Sequence, residues 1–168
     1  AGVDGILVVD MPPEEAMDLK KELDNFEIDL IFLVAPTTTD ERLEQISKLA
    51  SGYIYYVSLK GVTGAANLDV DSVNYHLERM RNYIHLPVGV GFGIKNAEIA
   101  KQIGENADAV IVGSALVSIV EELSSDKDKL VTKVGNLAKE ISNAITWLGN
   151  SMSWLEKILP SIGKNAKK

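Results

Sequence analysis

Five short apolar runs, each followed by a segment with amphipathic helical spacing, constrain the fold of this chain more than any other feature. The runs are rich in β-branched residues and cover residues 5–9, 29–35, 53–59, 86–91 and 107–113. The residues in each run are apolar throughout and do not alternate with polar residues. This pattern is typical of parallel strands that are buried on both faces. Parallel strands require crossover connections, so the pattern predicts an α/β fold with right-handed βαβ units.

The segments between the runs carry the signals of helices. Residues 12–26 place apolar side chains on one stripe and begin with two prolines followed by two acids, which suits the first turn of a helix. Thr38 and Glu41 have the spacing of a capping box at the start of a second helix. Further helices are predicted over residues 70–83, 96–103, 115–123 and 127–145.

The number of βα units leaves two architectures open. Five units fit a five-stranded doubly wound sheet, or the carboxyl-terminal part of a (β/α)₈ barrel, which needs eight units and typically about 250 residues. Spacing alone does not separate the two. In either case residues 1–145 form the α/β domain and residues 146–168 a separate tail.

Composition excludes several classes of function. The chain has no cysteine, which excludes thiol catalysis, disulfides and cysteine-ligated zinc. The histidines, His76 and His85, are predicted to have surface roles rather than to bind metal. A net charge of −7 argues against a nucleic-acid partner. The lack of a long apolar run or a signal-peptide pattern makes a membrane partner unexpected and favours the cytoplasm.

Three alternate glycines, Gly89, Gly91 and Gly93, come directly after the apolar stretch LPV that begins the fourth run. Glycine weakens a strand, so something must approach this backbone closely. A dinucleotide is disfavoured, because the third glycine of the G-x-G-x-x-G fingerprint is missing after Gly93. The acid expected about 20 residues downstream is also missing, and Gly113-Ser114 stands in its place.

A single phosphate group fits these residues better than a dinucleotide. In (β/α)₈ enzymes a phosphate often binds between the loops after the last two strands, at the start of a short extra helix. Backbone N–H groups of Gly93, Ile94, Gly113 and Ser114 would bind it, with the Ser114 hydroxyl as a further donor. The alternative is that the glycines only permit tight packing between strands and helices.

The motifs GVDGILVVDMPPEE, IFLVAPTTTDERL, GYIYYVSLKGVTGA, GVGFGI and AVIVGSALV resemble, in this order, the tryptophan synthase α subunit family over residues 1–145. The resemblance implies a (β/α)₈ TIM barrel, of which this chain holds about strands 4 to 8. It also implies a lyase of tryptophan biosynthesis that cleaves indole-3-glycerol phosphate by a retro-aldol reaction. The α subunit itself is expected to bind no cofactor. The expected partner is a β subunit that carries pyridoxal phosphate, in an α2β2 complex.

The resemblance also assigns roles to individual residues. Gly93, Ile94, Gly113 and Ser114 become the phosphate cradle, and Leu7, Leu33, Tyr55 and Phe92 line the substrate pocket. Thr63 and Gly64 lie on a mobile loop, and Asp10 supports the geometry of the strand end. The catalytic Glu and Asp of the family lie upstream of residue 1, so no catalytic residue is assigned and the chain alone is predicted to be inactive.

Residues 146–168 differ in character from the rest of the chain. They contain both tryptophans, four lysines and one acid, and are predicted to form a basic amphipathic tail, helical or disordered. From Met152 the sequence MSWLEKILPSIGKNAKK resembles the amino-terminal start of the acetyl-CoA carboxylase carboxyltransferase β subunit. That resemblance implies a fusion or read-through that carries no function of its own.

Two alternatives to this family remain open. One is another phosphate-binding barrel enzyme of the same pathway, such as indole-glycerol-phosphate synthase or phosphoribosylanthranilate isomerase. The other is a non-catalytic, five-stranded phosphate-binding α/β domain that folds in its own right.

Overall fold

The computed structural model describes residues 2–58, 69–91 and 93–146, and within this part every predicted apolar run contains a strand. The strands are shorter than the runs, because the ends of each run turn towards the neighbouring loops. They are β1 (Gly5–Leu7), β2 (Asp29–Val34), β3 (Ile54–Val57), β4 (Val88–Gly91) and β5 (Ala109–Ile111).

All strand pairs are parallel, and the spatial order of the strands is their order in the chain. A doubly wound sheet needs a point at which the strand order reverses. The described sheet has no such reversal, so each crossover advances in the same direction. This is the winding of a (β/α)₈ barrel, and the expected α/β barrel architecture is confirmed over five consecutive strands.

The predicted helices are present, with some changes at their ends. A 3₁₀ turn over Pro13–Glu15 precedes the first helix. The helices are α1 (Met17–Asn25), α2 (Asp40–Leu49), α3 (Val70–Arg81), α4 (Ala97–Gly104), α5 (Ser114–Leu123) and α6 (Lys127–Thr146). Helix α6 packs against α4 and α5, and its Ile141 joins the core.

The predicted capping box at Thr38 is wrong by one residue. The N-cap of α2 is Thr39, whose hydroxyl accepts a hydrogen bond from the Arg42 amide. Thr38 instead uses its hydroxyl to accept from the Ala35 amide, which closes the turn before the helix. Three consecutive threonines offer the same chemistry, so the sequence pattern does not decide which one caps the helix.

Burial is uneven between the two faces of the sheet. Along β2, Leu30, Phe32 and Val34 are buried, whereas the alternate residues are half-buried. Strand β3 shows the same alternation, and β4 is buried throughout. The expectation of full burial on both faces therefore holds for β4 but not for β2 and β3. The core lies between the sheet and its helices.

Candidate functional site

The carboxyl ends of β4 and β5 lie side by side at one edge of the sheet. Gly91 and Ile111 are paired in the parallel register. Gly93 and Gly113 each follow two residues beyond this pair. The register therefore brings the two glycine-containing turns predicted from the sequence to neighbouring positions.

The turn after β4 depends on glycine at one position. Gly93 has φ of 83°, in the left-handed region that side chains strongly disfavour. Ile94 follows with only 2% of its surface exposed and is part of the core. Asn96 then caps α4 by accepting from the Ile99 amide. The buried side chain of Ile94 thus anchors the turn. The backbone of the turn remains at the carboxyl edge of the sheet.

The turn after β5 leads directly into a helix that has no side-chain cap. Gly113 is the N-cap of α5, and Ser114 is its first helical residue. Both residues are exposed, and a Cβ built on Gly113 meets no heavy atom within 4 Å. The first amides of a helix have no partners within the helix, and the helix dipole adds positive character there. This end of α5 can therefore bind an anion.

The other two alternate glycines have a packing role. A Cβ on Gly91 would lie 2.5 Å from Cζ of Tyr55, and one on Gly89 would lie 3.1 Å from Cδ1 of Ile111. A side chain at position 91 would therefore require the Tyr55 ring to move, whereas one at position 89 would require only a small displacement of the end of Ile111. Packing therefore explains Gly89 and Gly91, although the side chains they accommodate come from neighbouring strands and not from helices, as the sequence alternative had it. Gly93 instead adopts a backbone conformation suited to glycine.

Ser58 is a site residue that the sequence does not single out. It is buried directly after β3, and both its backbone amide (3.2 Å) and its hydroxyl (3.1 Å) donate to the Gly91 carbonyl. These bonds fix the backbone immediately before the Gly93 turn. The only sequence signal is one hydroxyl at the end of an apolar run, which is too common to assign a role.

The predicted pocket residues are brought together only in part. Leu33 and Tyr55 are register partners on neighbouring strands. Leu7 pairs with Ile31, which lies two residues before Leu33 on β2. All three predicted residues are half-buried. Asp10 is exposed in the turn after β1. Phe92, Thr63 and Gly64 lie outside the described residues.

An ionic network fixes the turn between β2 and α2, at the same edge of the sheet. Arg79 of α3 donates to the Asp40 carboxylate (2.8 Å) and to the Thr38 carbonyl (2.9 Å). Partial burial and a hydrogen bond with Asp40 raise the pKa of Tyr83. Burial raises the pKa of Tyr56 to about 12, opposed by the nearby charge of Arg79. The network ties α3 to the turn that follows Leu33.

Other kinds of site were sought in the described part of the chain. Within residues 2–58, 69–91 and 93–146, no group of His, Cys, Asp and Glu side chains could hold a metal ion. No helix in these ranges is long and apolar enough to span a membrane. A groove of about 500 Å³ lies between Leu123 and the first turns of α6, lined by Lys129 and Lys133. None of the predicted site residues in the described part of the chain lines this groove.

Sequence comparison finds relatives of this chain in one protein family. The family model for the tryptophan synthase alpha chain matches residues 1–146. The chain is 62% identical over 138 residues to the tryptophan synthase alpha chain of Ruthia magnifica subsp. Calyptogena magnifica, covering 82% of this chain and 52% of that one. It is 54% identical over 127 residues to that of Polaromonas naphthalenivorans, covering 76% and 47%. The chain therefore spans about half the length of the curated relatives it matches.

Solved structures agree with the sequence match. Tryptophan synthase subunit alpha from Legionella pneumophila superposes with a TM-score of 0.75 at 35% identity, covering 86% of this chain and 53% of that one. A chain of the tryptophan synthase α2β2 complex from Pyrococcus furiosus superposes with a TM-score of 0.73 at 35% identity, covering 84% and 56%. Both structural matches again extend over about half of the longer chain.

Proposed function

Because the chain belongs to the tryptophan synthase alpha chain family, we propose that it supplies the phosphate-binding part of a barrel lyase. That barrel cleaves indole-3-glycerol phosphate to indole and glyceraldehyde 3-phosphate, a retro-aldol step of tryptophan biosynthesis. The observation that carries the proposal is the parallel register of β4 and β5, which aligns the Gly93 turn with the uncapped start of α5.

The phosphate binds to the amides of Gly93, Ile94, Gly113 and Ser114, and the Ser114 hydroxyl adds a donor. No lysine is needed, because the helix start supplies both N–H groups and positive dipole character. The exposure of Gly113 and Ser114, together with the open space around Gly113, supports this assignment.

The rest of the substrate lies along the sheet. Leu7, Leu33 and Tyr55 line the pocket for the indole and glycerol parts, which suits their half-buried position on one face. Phe92, Thr63 and Gly64 are assigned by family resemblance and lie outside the described residues. Asp10 supports the end of β1 and carries out no chemistry.

The acid and base of the reaction come from elsewhere in the barrel. Cleavage needs protonation of the indole ring at C3 and removal of a proton from the glycerol hydroxyl. The family supplies a Glu and an Asp for these steps from strands that precede β1. Asp10, a single carboxylate after a strand, cannot do both. The chain alone therefore binds phosphate but does not cleave substrate.

The family also supports proposals for the partner and the location of this chain. The Pyrococcus furiosus relative belongs to an α2β2 complex, and we assign this chain the same kind of partner, a β subunit that holds the pyridoxal phosphate. The chain itself holds no cofactor, and we place it in the cytoplasm. Residues 1–145 form the barrel domain and 146–168 the tail. The resemblance of the tail to the carboxyltransferase β subunit stays a prediction, because the tail lies outside the described residues.

A titration with inorganic phosphate, in which the backbone amide chemical shifts are monitored by NMR, tests the phosphate site. The amides of Gly93, Ile94, Gly113 and Ser114 should shift together along one binding curve. Ser114→Asp should abolish binding while α5 stays folded, because a carboxylate suits the helix start but repels phosphate. Thr39→Asp adds the same charge at the start of α2 and should leave binding unchanged. Saturable shifts that survive Ser114→Asp would refute the site.

A further inference from the structure

A buried hydroxyl group lies beside the backbone that leads from β4 into the Gly93 turn. Among residues 2–58, 69–91 and 93–145, whose side chains the structure describes, Ser58 is the only polar residue that is buried, with 5% of its surface exposed. A buried hydroxyl is costly unless it forms a hydrogen bond. The position of Ser58 directly after β3 therefore indicates a role that an apolar side chain would not fill.

Ser58 donates two hydrogen bonds to one carbonyl oxygen. Its amide donates to the Gly91 carbonyl over 3.2 Å, which continues the parallel ladder of β3 and β4 by one step. Its hydroxyl donates to the same oxygen over 3.1 Å. Any residue except proline would supply the amide, so the hydroxyl is what serine adds at this position. Because a peptide group is planar, the two donors together fix the orientation of the peptide plane that leads from Gly91 towards Gly93.

The backbone at Gly91 needs a restraint from outside because it has no side chain. The Tyr55 ring occupies the space in which a Cβ would lie, and this makes glycine necessary at position 91. Glycine has more conformational freedom to lose on ordering than any other residue. Gly93 adds a second such position two residues later, with φ of 83°. The order of this stretch therefore depends on contacts that neighbouring segments supply.

The order of this stretch bears directly on anion binding. After β4, the proposed phosphate ligands are the amides of Gly93 and Ile94, and an amide binds an anion only when its N–H group points at it. A turn that is ordered before the phosphate arrives loses less conformational entropy on binding. The buried Ile94 side chain holds the turn from its far end, and Ser58 holds the backbone that enters it.

We propose that Ser58 is a positioning residue of the phosphate site. Its hydroxyl orients the Gly91 peptide plane and thereby keeps the amides of Gly93 and Ile94 directed at the anion. It acts through the backbone of β4 and makes no contact with the phosphate. The inference rests on the proposed phosphate-binding function and adds a third strand to the site, since the amides themselves follow β4 and β5.

A titration of the full chain with inorganic phosphate, monitored by backbone amide chemical shifts, measures the contribution of Ser58. Ser58→Ala should raise the Kd for phosphate by about fivefold, the factor that corresponds to the loss of one typical hydrogen bond. Ser58→Thr keeps the hydroxyl and should restore most of the affinity. Equal phosphate affinity in the original chain and in a folded Ser58→Ala variant would overturn the inference.

Ser51 provides a matched control at the opposite edge of the sheet, before β3. Its hydroxyl accepts from the Leu30 amide and its own amide donates to the Leu30 carbonyl, both over 3.0 Å. Ser51→Ala therefore also removes a serine hydroxyl that links two strands, but it should leave the phosphate affinity unchanged. Urea unfolding of both variants measures the stability that each one loses. A comparable loss of phosphate affinity in both variants would mean that Ser58 acts only through general stability, and would refute the inference.

A measurement without phosphate distinguishes failure of this inference from failure of the proposed function. The NMR order parameters of the Gly93 and Ile94 amides should be lower in Ser58→Ala than in the original chain, whereas those of Gly113 and Ser114 should stay the same. Unchanged order parameters at Gly93 and Ile94 would overturn the inference even where the original chain binds phosphate. If the original chain binds no phosphate, the proposed function is refuted, and the role of Ser58 in binding is refuted with it.

Discussion

The phenol ring of Tyr55 lies over the α-carbon of Gly91, although its register partner on β4 is Gly89. Its ring therefore leans along the strand direction towards the carboxyl edge, as side chains on strands do. Ile111 of β5, whose register partner is Gly91, leans in the opposite direction, and its Cδ1 occupies the space over Gly89. The glycines of β4 thus leave room for side chains of both neighbouring strands, and Tyr55 is held next to the Gly93 turn.

Gly91→Ala is expected to destabilise the protein by about 1–3 kcal/mol, because the added methyl forces the Tyr55 ring from its position. Urea unfolding measures the change. Gly91→Ala should cost less in a Tyr55→Ala background than in the original chain, since the clashing ring is then absent. Gly113→Ala is the control: no heavy atom lies within 4 Å of its Cβ, so it should cost only about 0.5 kcal/mol, from the loss of glycine at an N-cap. Equal effects at the two glycines would contradict the packing role of Gly91.

Glu27→Gly is expected to stabilise the protein by about 0.5–1 kcal/mol. Glu27 follows α1 with φ of 55°, which glycine adopts without steric cost. Thermal unfolding measures the gain. Glu22→Gly, at an exposed position inside α1, should instead lower stability by about 1 kcal/mol. The opposite signs distinguish relief of backbone strain from any general effect of removing a carboxylate.

Stability is expected to fall above pH 10 because of Tyr56. Its pKa is about 12 in the folded chain and near 10 when unfolded. The unfolded state thus loses its proton first as the pH rises, so the free energy of unfolding decreases between pH 10 and 12, by up to about 2 kcal/mol. Urea unfolding at about pH 8 and pH 11 measures this loss. Tyr56→Phe should reduce it, whereas Tyr75→Phe should leave it in place.

Arg79→Ala is expected to cost about 1 kcal/mol, because it removes hydrogen bonds to the Asp40 carboxylate and the Thr38 carbonyl. Asp40 is half exposed, which limits the effect. Arg79→Lys should recover little, since an ammonium group does not reproduce the forked geometry of guanidinium. Arg42→Ala removes an exposed pair 3.5 Å from Glu14 and should change stability by less than about 0.5 kcal/mol. Equal losses at Arg79 and Arg42 would show that the network has no special role.

Much of the fold can be predicted from the sequence, because the spacing of hydrophobic residues and the presence of turn residues are local signals. The five runs identify the strands, and the amphipathic segments identify the helices. The choice between a doubly wound sheet and a barrel is not local, since it depends on which strands pair. Here the family motifs supply the answer, and the sequential strand order agrees with it.

The parts of the site that the sequence does not reveal depend on contacts between distant residues. Ser58 donates twice to Gly91, 33 positions further along the chain. The contact of Tyr55 with Gly91 is equally remote in sequence. Alternate glycines indicate a close approach, but they do not identify the approaching group. The folded structure identifies these groups as Tyr55 at Gly91 and Ile111 at Gly89.

Complementation is the strictest test of the proposed role as the phosphate-binding part of a barrel lyase. The chain is mixed with a polypeptide that carries the first three βα units of a tryptophan synthase alpha chain relative, and indole release from indole-3-glycerol phosphate is measured. We expect that neither part alone releases indole, that the mixture does, and that Ser114→Asp in this chain abolishes the release. A folded, stoichiometric complex of the two parts that releases no indole would contradict the proposed role.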